Sequence, residues 1–190
     1  MKTITIKTYK LNELSKEAKQ KAIDNNRYFN TEDNDWSEYT LDYWKEKLAA
    51  LGFDNTKIYF SGFASQGDGA SFEGQIDIIK WLTVNKKRTE YKAIIDDIDN
   101  CNIVITKSGH YEHEMTMSVE VEYFGNNDKA CNTIDKLGNE ILENAREQAR
   151  LIYKELDKEN DYLTSDEAIA ESLESNECDF LEDGNKNYIV

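Results

Sequence analysis

The chain has no proline, so neither a proline-rich linker nor a proline-marked hinge divides its 190 residues. Cysteine is scarce: Cys101, Cys131 and Cys178 are an odd set without metal-type spacing, and free thiols are expected. No apolar run approaches the roughly 18–20 residues needed to cross a bilayer. The opening Met1–Tyr9 alternates polar and apolar residues and carries no apolar signal core. Positive charge is in deficit, with 23 Lys plus Arg against 38 Asp plus Glu and a formal net charge of −15. A general nucleic-acid binder needs clustered cations for phosphate, and an anionic membrane surface selects the same residues. The expectation is therefore a cytoplasmic protein that binds neither nucleic acid nor membrane directly. What is present is a 39% apolar share with 11% aromatics, enough for a packed core.

Periodicity organises the chain. Thr3–Tyr9 reads as a strand, and Ser15 as the N-cap of a helix ending near Asn25–Asn26. Trp36, Tyr39, Tyr43, Trp44, Leu48 and Leu51 recur at helical spacing as a core-facing stripe closed by Gly52. Residues 57–63 and 70–79 read as strands, 89–99 as a short helix, and 102–107 and 115–123 as two further strands. Met115, Met117, Val119, Val121 and Tyr123 alternate with polar residues on the last of these. From Asp128 to Leu156 the period becomes helical, long enough to span one face of a sheet. Thr164 with Glu167 resembles a capping box for a last helix to about Asn176, and Phe180–Ile189 a closing hairpin. The expected fold is α+β: an antiparallel sheet of four or five strands covered by helices. It forms a core over residues 1–156, with residues 157–190 as an acidic helical extension packed on it. Between Asp157 and Gly184 there are eleven acidic residues and one lysine.

Two segments could carry chemistry. Residues 61–74 hold four glycines, and Gly67 and Gly69 bracket Asp68 where the backbone can approach another group closely. Free amides in such a turn can cradle an anion, and Ser61, Ser65, Gln66 and Ser71 add neutral donors and acceptors. Neither a P-loop nor a dinucleotide fingerprint fits, because no Lys-Ser/Thr pair follows and the next element is a strand. An ordinary Asp-Gly hairpin loop is the plain alternative. The second segment, 107–114, contains both histidines, His110 and His113, with Tyr111, Glu112 and Glu114. Imidazoles serve proton transfer, recognition or metal binding. On a regular strand the two histidines would point to opposite faces, and no second His/Cys pair exists, which argues against a metal. A His/Asp pair with Asp68 and a polar pocket wall with a stacking Tyr111 both remain open.

At these residues the chain resembles a family of small phage and prophage proteins that often carry the label "antitoxin of a toxin–antitoxin stability system". The first motif, Ser-Gly-Phe-x-Ser-Gln-Gly-Asp-Gly-Ala-x-Phe-x-Gly, matches at Ser61, Gly62, Phe63, Ser65, Gln66, Gly67, Asp68, Gly69, Ala70, Phe72 and Gly74. The second, Gly-His-Tyr-x-His-Glu, matches at Gly109, His110, Tyr111, His113 and Glu114; Ala64 departs from the aromatic or cysteine common at its position. Stretches 8–23 and 162–184 look similar too. The resemblance implies an accessory protein in the cytoplasm of a bacterial host, acting against host defence by binding an enzyme or by sequestering a nucleotide signal.

The expectation is a non-catalytic binding protein without cofactor or metal, and without catalytic residues. Its ligand-binding residues would be Ser61, Ser65, Gln66, Gly67, Asp68, Gly69, Ser71, His110, Tyr111, His113 and Glu114, with the two loops meeting at one end of the sheet. Its partner would be a nucleotide-like small molecule or a bacterial defence or toxin protein, and a homo-oligomer is possible. Two alternatives stand beside it. One is a protein–protein inhibitor or antitoxin using 157–184 as a DNA-like acidic decoy; the other is a small hydrolase using His110, His113 and Asp68.

Overall fold

A computed structural model describes residues 6–186. Six helices and a four-stranded antiparallel sheet form an α+β fold. The helices are α1 (Lys16–Asn25), α2 (Glu38–Ala50), α3 (Ile78–Val84), α4 (Lys92–Ile95), α5 (Asp128–Leu163) and α6 (Asp166–Ser175). The strands β1 (Phe53–Ser61), β2 (Gly69–Ile76), β3 (Cys101–Lys107) and β4 (Met117–Tyr123) pair in chain order as a meander. Thr3–Thr5 of the expected first strand and Asn187–Ile189 of the expected last hairpin lie outside the described residues. Within them, Tyr9 and Phe180 form an isolated antiparallel bridge, and Phe180 bridges Lys186.

The chain divides into two compact units, residues 39–157 and residues 1–38 with 158–190. The first 38 residues thus group with the acidic segment rather than with the sheet. No helix among the described residues is long and apolar enough to cross a membrane.

The unit 39–157 buries one face of the sheet. Register places Ile103 opposite Val121 and Ile105 opposite Val119. Ile103, Ile105, Met117 and Phe72 are buried, whereas Gln75, Asn102, Ser118, Glu120 and Glu122 are exposed. This is the apolar-in, polar-out alternation of a half-buried antiparallel sheet. α5 packs on the apolar face so closely that a Cβ at Gly138 would stand 2.5 Å from a Val121 methyl. Two tryptophans tie α2 and α3 to it. Trp44 Nε1 donates to Glu155 at 2.9 Å and Trp81 Nε1 to Asn144 at 3.1 Å, so each buried indole keeps its hydrogen bond.

Three expectations are corrected here. Trp44 and Leu48 are buried, but Tyr39 and Tyr43 are 84% and 47% exposed, so the core stripe of α2 is narrower than its aromatic stripe. Ile78 and Ile79 do not extend β2. Asp77 accepts from the Lys80 amide at 2.9 Å and caps a helix there, which turns the apolar pair into the start of α3. Met115 does not belong to the buried row of β4, since it sits in a 3-10 turn (Glu114–Thr116) and is 62% exposed.

The unit formed by residues 1–38 and 158–190 has its own small core of Leu11, Ala22, Ile23, Ile169, Leu173 and Phe180. Ser15 caps α1 by accepting from Ala18, as its position predicts, and Ser165 caps α6 by accepting from Ala168, each at 3.2 Å. Thr164 is therefore not the cap; its hydroxyl donates to Asn160 in the last turn of α5. Acidic and basic side chains interleave across this unit. Lys10 pairs with Asp179, Lys19 with Glu174, Lys21 with Asp183 and Arg27 with Asp166.

Candidate functional site

A four-stranded meander places the β1–β2 and β3–β4 connections at the same end of the sheet. Those connections are residues 62–68 and 108–116, and they touch. A Cβ at Gly67 would stand 2.9 Å from the Tyr111 ring. One at Gly69 would stand 2.8 Å from the Glu112 carbonyl oxygen and 3.1 Å from His113 Cα. Only a residue without a side chain lets the first loop lie against the second in this way. Between them opens a cleft of about 480 Å³ lined by Gln66, Gly67, Tyr111, His113 and Thr116.

The first loop is closed on itself by Asp68. Its Oδ2 accepts from the Ser65 amide at 2.6 Å and the Ala64 amide at 2.9 Å, and its Oδ1 from the Ser61 hydroxyl at 3.4 Å. The Ser65 amide first, then that of Ala64, hold this carboxyl below the usual carboxylate range, with Ser61 adding and burial opposing. The loop thus spends two of its amides on its own carboxylate. Phe63 fixes the loop from outside by stacking on Tyr153 of α5, ring centroids 5.4 Å apart.

The second loop is held from beneath. Lys107 Nζ lies 3.0 and 3.1 Å from the two Glu112 oxygens and 4.8 Å over the Tyr59 ring. The Ser71 hydroxyl donates to Glu112 at 3.2 Å. Lys107 is 11% and Glu112 21% exposed at the side chain, so the pair is largely shielded from water. Above this anchor, His113 Nδ1 lies 3.1 Å from the Met115 amide, which donates to it. Glu114 Oε2 lies 3.2 Å from the same Nδ1, and its Oε1 lies 3.5 Å from Arg150 of α5. His110 leans on Tyr111 with ring centroids 4.3 Å apart.

The residues singled out from the sequence therefore separate. Gln66, Gly67, Tyr111 and His113 line the cleft. Ser61 and Asp68 are turned inward on their own loop, which Ser65 serves through its backbone amide. Gly69 and Ser71 are buried beneath the second loop, where Ser71 serves Glu112. His110 is exposed behind Tyr111, and Glu114 is shared between His113 and Arg150. Asp68 hydrogen-bonds neither histidine, so the His/Asp pair is not assembled. No group of three or more His, Cys, Asp or Glu among the described residues is arranged to hold a metal ion. Thr116, Lys107 and Arg150 belong to the arrangement without standing in either motif. Thr116 follows the second motif at the turn into β4, whereas Arg150 reaches Glu114 only through the packing of α5.

A model of a domain of unknown function, DUF8835, matches residues 36–166. The chain belongs to the DUF8835 family. The DUF8835 match includes the whole sheet and both loops. No curated protein and no solved structure matches the chain.

Proposed function

We propose that this DUF8835 protein is a non-catalytic binding module that captures a nucleotide-like molecule in the cleft between residues 62–68 and 108–116. In the setting that the resemblance to small phage proteins supplies, the captured molecule is a signal of a bacterial defence system. The observation that carries the reading is the cleft itself: two motif-bearing loops 40 or more residues apart in sequence close on one cavity, and uncommitted polar groups face it. The Gln66 amide, the Tyr111 hydroxyl and His113 Nε2 have no hydrogen-bond partner among the described residues. A heterocycle is the ligand class that uses an amide, a phenol, an imidazole nitrogen and an aromatic edge together. The flat glycine surface at Gly67 beside the Tyr111 ring argues that the cleft receives the planar part of the ligand. The acidic-decoy reading draws less support, because Asp166, Glu174, Asp179 and Asp183 already face cations of residues 10–27.

The test is a thermal-shift series with nucleosides, mononucleotides and cyclic nucleotides, followed by mass analysis of what heating releases. A ligand at a hundred times its Kd stabilises the folded chain by about 2.7 kcal/mol, which is readily measured. The expected result is a shift for at least one probe, abolished by Tyr111→Ala together with Gln66→Ala, and release of the probe unchanged. No shift with any probe at millimolar concentration overturns capture. Release of a chemically altered probe overturns the non-catalytic part.

A further inference from the structure

Resting on that reading, we infer that the site is bipartite: the loop cleft takes the heterocycle, and Arg150 on α5 takes a single phosphate group at the mouth of the adjoining groove. The two cavities are linked by one side chain. His113 lines the cleft and Arg150 lines a larger groove of about 870 Å³ along α5, and Glu114 touches both residues, one with each oxygen. Glu114 is 15% exposed at the side chain and Arg150 51%. The carboxylate is therefore fixed in place while the guanidinium stands half in water, at a long 3.5 Å. A phosphate offers the same fork of oxygens with more charge, so it competes well for a guanidinium held this loosely.

The nearest other cation and two amides of the first loop are committed. Lys107 is buried against Glu112 and the Tyr59 ring, and the amides of Ala64 and Ser65 serve Asp68. Charge in the groove also limits the ligand. Glu140 is neutralised by Lys87 at 2.7 Å and Glu143 by Arg146 at 2.7 Å. Glu147, one turn before Arg150, lines the groove without an ion-pair partner among the described residues. That carboxylate repels a long polyanion and tolerates one phosphate. The ligand class is thus a nucleotide with a single phosphate near its base, not an oligonucleotide.

The experiment compares matched probes by calorimetry at low salt: adenosine with AMP, guanosine with GMP, cytidine with CMP and uridine with UMP. In the wild-type protein the nucleotide of the preferred base should bind about tenfold more tightly than its nucleoside. Arg150→Gln should erase that difference and leave nucleoside affinity within twofold. Glu114→Gln, which releases the guanidinium, should widen the difference several-fold. Circular-dichroism melts matching the wild type show that both variants are folded, and Arg150→Lys should restore part of the phosphate preference. Equal binding of nucleoside and nucleotide by the wild type, or an Arg150→Gln variant that keeps the difference, overturns the bipartite site while leaving the cleft reading intact. Binding of no probe at all overturns both.

Discussion

The two loops at the end of the sheet solve the same problem in opposite ways. Residues 62–68 are organised by their own backbone, with one carboxylate gathering two amides and a hydroxyl into a closed turn. Residues 108–116 are organised from outside, by a lysine of β3 and a serine of β2 that grip Glu112. The first loop needs little support and offers mainly a flat glycine surface. The second depends on buried side chains beneath it and is free to present His110, Tyr111 and His113 above. A self-closed loop makes a wall, and an externally braced loop makes a hand.

The largest effect should come from removing the contact between them. Gly69→Ala places a methyl against the Glu112 carbonyl and the His113 backbone, neither of which can swing aside as a long side chain would. A loss of about 2–3 kcal/mol in denaturant unfolding is expected, with loss of ligand binding. An unchanged midpoint would mean that the loops do not meet.

Lys107→Met comes next, at about 2 kcal/mol, because it leaves Glu112 shielded and unpaired. A Lys107→Met, Glu112→Leu double variant should recover most of that loss, so the cycle isolates the coupling. Additive losses would show that the second loop is not braced by this pair.

Asp68→Asn sharpens the contrast through pH. The folded carboxyl lies below its unfolded value, so its contribution is present above the unfolded value of about 4 and fades as pH falls through the folded one. The wild-type melting temperature should drop more steeply below pH 4 than that of Asp68→Asn. Parallel acid limbs would remove the self-closed description. The smallest effect is His110→Ala, expected within about 0.5 kcal/mol because the ring is exposed at the tip.

Much of this was legible in the residues, for local reasons. Alternation marks β3 and β4, and the helical period marks α5, because one face of each is buried along its whole length. Ser15 and Gly52 mark helix ends because capping is a short-range interaction. The α2 tyrosines misled because an aromatic stripe has the same period whether it meets a core or water. Ile78 and Ile79 misled because a short apolar pair fits either element, although Asp77 carried the capping signal that decides it. Arg150 and Thr116 were invisible, since nothing local announces which helix turn will pack beside a distant loop. The partners of the acidic segment are invisible for a similar reason: its counter-charges lie more than a hundred residues upstream.

That last pairing has a practical side. Lys10, Lys19, Lys21 and Arg27 answer Asp179, Glu174, Asp183 and Asp166 across the two ends of the polypeptide. Trimming the chain back to the first residue matched by the family, Trp36, would discard all four cations and keep the carboxylates they balance. Such a shortened protein would carry nearly the same net charge, −16 against −15, yet leave four carboxylates unanswered; it should grow unusually sensitive to magnesium or polyamines, so the boundary of the family is a poor place to cut.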